Sequence, residues 1–168
     1  IAGQFTLSSV LWFENPGKAG LPTKEPWVQH ELMDTGFKHN EMIFLRDMNG
    51  DGTPEYVANS WNAKNPMLVW KFAKKDGKPT MTKSVISQSG NGHGQGFGDV
   101  NGDGHEDIVF MQGWYERPSR NAFGQPWKWH KDWNADRLEM FFVEAAKHGA
   151  QLAVAPEGIL EGYLVHEA

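Results

Sequence analysis

Two nine-residue stretches decide the fold: residues 47–55 read DMNGDGTPE, and residues 99–107 read DVNGDGHED. Each begins with Asp, carries oxygen-bearing side chains at its third and fifth positions, and ends on an acid at its ninth position. Glycines at the fourth and sixth positions supply the left-handed backbone that such a tight loop requires. Each stretch runs directly into residues typical of a β-strand. The chain therefore repeats one loop-and-strand unit, with an offset of 52 residues from Asp47 to Asp99.

Two aromatic segments recur at about twice that spacing. Residues 11–16 (LWFENP) match residues 113–118 (GWYERP) at an offset of 102, and residues 26–30 (PWVQH) match residues 126–130 (PWKWH) at an offset of 100. The short apolar runs in between are broken by Gly, Pro, Asn and Asp, as in antiparallel sheets. A period near 50 residues with this pattern is typical of the blades of a β-propeller.

The repeats predict a mainly β fold, a partial β-propeller of about three blades of antiparallel strands over residues 1–131. The first blade holds only its later strands, through His30. The second blade is expected at about residues 39–87, and the third at about residues 93–131. Residues 134–168 are expected to form a separate α/β segment.

That segment has helical periodicity instead of β alternation. A helix is predicted to begin at Asn134 or Asp136 and to end near His148, followed by a short strand at residues 151–155. Gly149 supplies the left-handed cap at the end of the helix. One face of this helix is apolar, and it carries Leu138, Phe141, Phe142, Ala145 and Ala146.

The acidic loops have the chemistry of calcium sites. Calcium takes six to eight oxygen ligands, and alternate spacing lets a tightly wound loop aim successive oxygens at one centre. Magnesium demands a stricter octahedral geometry and keeps its waters. The predicted ligands of the first ion are Asp47, Asn49, Asp51, the Thr53 carbonyl and Glu55. Those of the second ion are Asp99, Asn101, Asp103, the His105 carbonyl and Asp107.

Two other kinds of loop have related sequences. An EF-hand requires Glu at the twelfth position and flanking helices, but the chain has Ala58 and Phe110 there, between predicted strands. A pair of Asn-Gly and Asp-Gly hairpin turns without a metal is the simpler alternative. Two loops in register, each ending on an acid, favour calcium over that alternative.

Composition excludes several classes of function. The net charge of −5 argues against a nucleic-acid partner, because phosphate contacts need a basic face. The absence of cysteine excludes disulfides, thiolate metal sites and a Cys nucleophile. No apolar run approaches the roughly 20 residues of a transmembrane helix, so no membrane span is expected.

The two loops, with Gly96-Phe97-Gly98 just before the second, resemble the FG-GAP or VCBS type of β-propeller repeat. The resemblance implies antiparallel blades, a calcium ion in each acidic loop, and an extracellular, periplasmic or cell-surface location. It also implies a role in adhesion or in binding a carbohydrate or protein ligand, with further blades from a longer chain or from self-association. Some such proteins are lyases, so a fragment of a carbohydrate lyase is the alternative function.

The tail is similar to a different family. Residues 142–158, followed by Gly162-Tyr163, resemble the first helix and second strand of nitrilase-type carbon-nitrogen hydrolases. The resemblance implies that Glu157 is the general base of a Glu-Lys-Cys triad. Since that chemistry needs a thiolate nucleophile and the chain has no Cys, this chain alone is expected to be inactive in it. A fusion to such a hydrolase is the second enzymatic alternative, and a plain charged residue at a strand end is the alternative for Glu157.

Histidines and tryptophans add weaker signals. His39 and His93 precede the two loops, where a surface or turn position is favoured over a ligand in a propeller channel. Recurrent tryptophans are expected to pack between blades, and they are Trp12, Trp27, Trp114 and Trp127. Those without a counterpart are better candidates for stacking on a sugar, and they are Trp61, Trp129 and Trp133.

Overall fold

A computed structural model of the chain describes residues 1–21 and 25–132, and this part is nearly all β. The strands are β1 (Ser9–Phe13), β2 (Gln29–Asp34), β3 (Asn40–Arg46), β4 (Glu55–Ser60), β5 (Met67–Lys75), β6 (Lys78–Ser87), β7 (Gly96–Gly98), β8 (Asp107–Phe110), β9 (Gly113–Glu116) and β10 (Lys128–His130). A single helical turn, α1 (Gly17–Gly20), follows β1. The described chain divides into two units after Asn91.

The first unit contains a two-stranded sheet, β1-β2, and a four-stranded sheet in the order β3-β4-β5-β6. All pairs are antiparallel. Strand β4, an inner strand of the larger sheet, is buried at every residue. The β5–β6 hairpin closes through Asp76 and Gly77, which both have positive φ (52° and 76°), as a two-residue primed turn requires.

One hydrophobic core lies in the first unit. Its buried members are Val10, Phe37, Tyr56, Ala58, Leu68 and Trp70, with Leu32, Met33, Ile43, Met81 and Val85 packed against them. The core draws on β1, β2 and all four strands of the larger sheet. Burial of these side chains is therefore the main favourable term that holds the two sheets together.

A buried amide cross-links the loops at one end of the same unit. Asn91 accepts a hydrogen bond from the N–H of Ser60 (2.9 Å) and donates to the carbonyls of Ala58 and Pro66 (both 3.1 Å). A polar side chain at 3% exposure is stable in this position because its polar atoms have partners.

The second unit holds a four-stranded antiparallel sheet in the order β7-β8-β9-β10. Its buried apolar residues include Ile108, Phe110, Trp114 and Tyr115. At Gly113, a Cβ would lie 1.9 Å from the carbonyl oxygen of His130, so the approach of β10 to β9 requires glycine there.

The predicted mainly β fold is confirmed, and the described part is consistent with a partial β-propeller. The second and third predicted blades correspond to β3–β6 and β7–β10, and the first corresponds to β1–β2, which continues to Asp34 rather than ending at His30. The predicted helix and strand of residues 134–168 lie outside the described residues, and the division near residue 131 stays a prediction. Within the described part, no helix is long and apolar enough to cross a membrane.

Candidate metal-binding loops

The two acidic loops occupy the same place in the two four-stranded sheets. The first loop (residues 47–55) joins β3 to β4, and the second loop (residues 99–107) joins β7 to β8. Their backbones also match, because φ is 77° and 83° at Gly50 and Gly52, and 76° and 84° at Gly102 and Gly104. No atom lies within 4 Å of a Cβ placed at any of these four glycines. The positive φ, rather than a lack of space, therefore calls for glycine.

The first aspartate of each loop organises the turn. In the first loop, Asp47 Oδ1 accepts hydrogen bonds from the N–H groups of Gly50 (2.9 Å) and Asp51 (3.1 Å), and Oδ2 accepts one from Gly52 (2.8 Å). In the second loop, Asp99 repeats this pattern at 2.8, 3.0 and 2.9 Å. Each carboxylate thus gathers three successive loop amides around itself.

The side chains at positions three and five follow the same rule in both loops. Asn49 Oδ1 accepts from the N–H of Asp51 (2.8 Å), and Asp51 Oδ1 accepts from the N–H of Thr53 (2.9 Å). In the second loop, the corresponding bonds to Asn101 and Asp103 measure 3.0 and 2.9 Å. An oxygen acceptor has two lone pairs, so an oxygen that binds an N–H group can also bind a cation.

The closing acids are the buried members of the loops. Glu55 and Asp107 are both 0% exposed. Glu55 Oε2 accepts from the N–H of Met48, and Asp107 Oδ2 accepts from the N–H of Val100, each at 2.9 Å. Burial raises the pKa of both carboxyls, and the backbone hydrogen bonds oppose this rise. A buried carboxylate is costly unless a cation or several donors compensate it.

The two loops differ around these closing acids. The longer side chain of Glu55 reaches back into the loop, where its Oε1 accepts from Asn49 Nδ2 at 3.0 Å. The shorter Asp107 instead takes a second backbone partner, the N–H of Arg117, at 2.9 Å. In the first loop, Lys71 Nζ also lies 2.9 Å from Asp51 Oδ2, and this hydrogen bond lowers the pKa of Asp51.

The loops fit calcium in their donor chemistry. Each contributes three carboxylates, an amide oxygen and a backbone carbonyl, which are the hard oxygen donors that calcium prefers. Within residues 1–21 and 25–132, no group of three or more His, Asp or Glu side chains lies close enough to hold a metal ion. The carboxylate oxygens accept hydrogen bonds mainly from amides of their own loops. The ten predicted ligands therefore stay a prediction, although the structure places each set in one continuous turn.

A cluster of Trp, His and Glu recurs in two hairpins. In β1–β2, His30 stacks on Trp12 with ring centroids 4.4 Å apart, and its Nε2 lies 3.0 Å from Glu14 Oε2. In β9–β10, His130 stacks on Trp114 at 4.2 Å and hydrogen-bonds Glu116. This geometry explains why the aromatic segments recur in the sequence.

The other aromatic residues singled out by the sequence differ in their exposure to solvent. Trp127 is 4% exposed, whereas its counterpart Trp27 is 44% exposed. Trp61 is 52% exposed and lies edge-on to Phe5, with ring centroids 5.2 Å apart. Phe5 also contacts the ring of His39 at 5.1 Å. Trp133, also predicted as a sugar-stacking residue, lies outside the described residues.

Residues 47–110 match the FG-GAP-like repeat family. The matched stretch begins at the first residue of the first loop and ends with β8, so it contains both acidic loops. Comparison with curated proteins and with solved structures gives no match. The family match supports the predicted FG-GAP repeat and suggests a β-propeller repeat module. It does not reach the tail, and neither the hydrolase resemblance nor the role of Glu157 gains support from it.

Proposed function

We propose that the two loops bind one calcium ion each, and that the chain is a calcium-stabilised propeller module. Its role is ligand binding or adhesion in a secreted or cell-surface protein. The observation that carries the proposal is the recurrence of one loop geometry, with its oxygen donors and a fully buried closing acid. A calcium ion compensates the carboxylates that Glu55 and Asp107 bury, so binding energy becomes folding energy.

Thermal unfolding in calcium and in chelator tests the metal part of this proposal. A ligand that binds only the folded state adds RT ln(1 + [L]/Kd), which is about 2.7 kcal/mol per site at a hundredfold excess over Kd. For a unit of 60–100 residues, about 1 kcal/mol shifts the Tm by roughly 4–8 °C. We therefore expect a Tm at least about 10 °C higher in millimolar calcium than in chelator.

Matched variants separate a specific site from a general charge effect. Asp51→Ala combined with Asp103→Ala removes one predicted ligand per loop, and this variant is expected to unfold at the same temperature with calcium or chelator. Asp76→Asn removes a carboxylate from the β5–β6 turn and is expected to keep the full calcium response. The proposal is wrong if the wild type melts identically in both buffers, or if the double variant responds like the wild type.

The ligand-binding part rests on the exposed aromatic cluster of Phe5, His39 and Trp61. His39 has a φ of 64°, an uncommon backbone conformation for a residue other than glycine. A half-exposed indole beside a second ring is suited to the apolar face of a sugar. Carbohydrate binding should quench tryptophan fluorescence in the wild type. The quenching should be absent in Trp61→Ala. A glycan response that survives Trp61→Ala would place the site elsewhere.

A further inference from the structure

Lys71 gives the first loop a cation of its own. Its ammonium group lies 2.9 Å from Asp51 Oδ2 and 3.9 Å from Glu55 Oε1. The amide of Asn49 donates to the same two oxygens, each at 3.0 Å. An ammonium and an amide, both hydrogen-bond donors, therefore share the carboxylate oxygens that a metal ion in this loop would use.

The position of Lys71 is set by strand pairing. In the first unit, Tyr56 follows the closing acid of the loop and pairs with Trp70, which directly precedes Lys71. In the second unit, Ile108 follows the closing acid and pairs with Tyr115, which directly precedes Glu116. The residue that corresponds to Lys71 is therefore Glu116.

Glu116 has the opposite charge to Lys71, and its carboxylate contacts β10 rather than the second loop. Its carboxylate hydrogen-bonds His130 and lies 3.7 Å from the ammonium of Lys128. In the described part of the chain, no lysine or arginine forms an ion pair with Asp99, Asp103 or Asp107. The second loop thus has carboxylates at the same three positions as the first, and none of these three forms an ion pair with a described lysine or arginine.

We propose that Lys71 competes with calcium in the first loop and makes this loop the weaker of two unequal sites. The inference rests on the proposed calcium binding and adds an order of filling to it. An ammonium tethered to β5 neutralises part of the charge of the first loop and has to leave Asp51 and Glu55 when the ion enters. Repulsion between the two cations opposes entry further. The second loop has neither cost, so it fills first as calcium rises.

The expected size of the effect follows from Coulomb's law. A calcium ion of charge +2 and the Lys71 ammonium of charge +1, at a separation of roughly 6 Å in water, repel each other. The repulsion energy corresponds to about a tenfold loss of calcium affinity. Lys71 is 37% exposed and Asp51 is 44% exposed, so solvent screens this interaction strongly. We therefore expect two calcium constants that differ by roughly tenfold.

Titration calorimetry of the full chain tests the inference with calcium alone as the probe. Asp103→Ala disables the second loop and should leave only the weaker constant. Adding Lys71→Met, which keeps an unbranched chain and removes the charge, should tighten the remaining site by roughly tenfold. Lys71→Arg in the same background should stay weak, because it keeps the charge.

The control is Lys75→Met, which changes the net charge equally from a position four residues along the same strand, about 13 Å away. It should leave both constants unchanged. In chelator, Lys71→Met should lower the Tm through the lost ion pair, a change that a mere gain of calcium affinity does not predict. Equal affinity in Asp103→Ala with and without Lys71→Met would overturn the role of Lys71 while leaving calcium binding intact. Absence of heat in the wild type would overturn calcium binding itself.

Discussion

Gly113→Ala tests how tightly β9 and β10 are packed against each other. A methyl group at this position would lie 1.9 Å from the carbonyl oxygen of His130 and 2.9 Å from Cζ2 of Trp129. A carbon–oxygen contact normally measures about 3.3–3.6 Å, so β10 would have to move by more than about 1 Å. That movement disturbs the three paired positions of these strands, which include the stacked Trp114 and His130.

The expected cost combines two effects. Overpacking in a closely fitted site costs about 1–3 kcal/mol, and the φ of 150° at Gly113 adds strain of about 1 kcal/mol for alanine. A total near 3 kcal/mol lowers the Tm of a unit of this size by roughly 12–24 °C.

Thermal unfolding followed by tryptophan fluorescence measures this change. Gly98→Ala is the matched control in the same sheet, because no atom lies within 4 Å of its added Cβ, and its Tm should change by only a few degrees. Equal effects of the two substitutions, or no effect of either, would show that the close approach at Gly113 is not a real constraint.

Three further outcomes are expected. Burial raises the pKa of Tyr56 from 10.0 to about 12, so its neutral phenol stabilises the fold below pH 10, and on the order of 2–3 kcal/mol is lost as the pH rises from 10 to 12. Tyr56→Phe should remove this part of the alkaline unfolding transition without a loss of stability at pH 7, because the hydroxyl has no hydrogen-bond partner among the described residues. Asn91→Ala should cost about 2–3 kcal/mol in chemical denaturation, since it removes the hydrogen bonds of the buried amide to Ala58, Ser60 and Pro66, and a cost below about 0.5 kcal/mol would contradict this. His130→Leu should destabilise the second unit more than His30→Leu destabilises the first, because the cluster around His130 is the more buried, and equal changes in Tm would refute that ranking.

The repeat carried most of the information that the sequence held about the fold. Two loops with Asp, Asn, Asp and a closing acid at alternate positions indicated where β3 turns into β4 and β7 into β8. The 52-residue offset between the loops indicated two equivalent blades, which are the two four-stranded sheets. These features were predictable because they depend on local spacing and on the positive φ of the glycines. The end of the first hairpin at Asp34 was missed, since the strand continues into residues with no strong β pattern.

The differences between the loops could not be read from the sequence. Lys71 lies sixteen residues after Glu55, and only the register between β4 and β5 brings its ammonium to the first loop. The single methylene that separates Glu55 from Asp107 likewise decides whether the closing acid bonds Asn49 or the backbone of Arg117. Such contacts depend on three-dimensional packing, which the spacing of residues along the chain does not predict.

The exposure of the aromatic residues was likewise not predictable from the repeat. The repeated Pro-Trp segments indicated equivalent roles for Trp27 and Trp127, yet one side chain is half-exposed and the other is buried. Equivalence along the chain predicts equivalent backbone position, while the exposure of a side chain depends on what covers it.

Each four-stranded sheet joins only strands that are neighbours along the chain, in the orders β3-β4-β5-β6 and β7-β8-β9-β10. Such a meander can close from one hairpin to the next without threading through any other part of the molecule, which favours rapid formation. Gene duplication of a stretch of about fifty residues can therefore lengthen the chain by one whole sheet at a time. Each new copy is then free to exchange a lysine for a glutamate beside its loop, so the charge around the loop acids can diverge while the backbone stays the same.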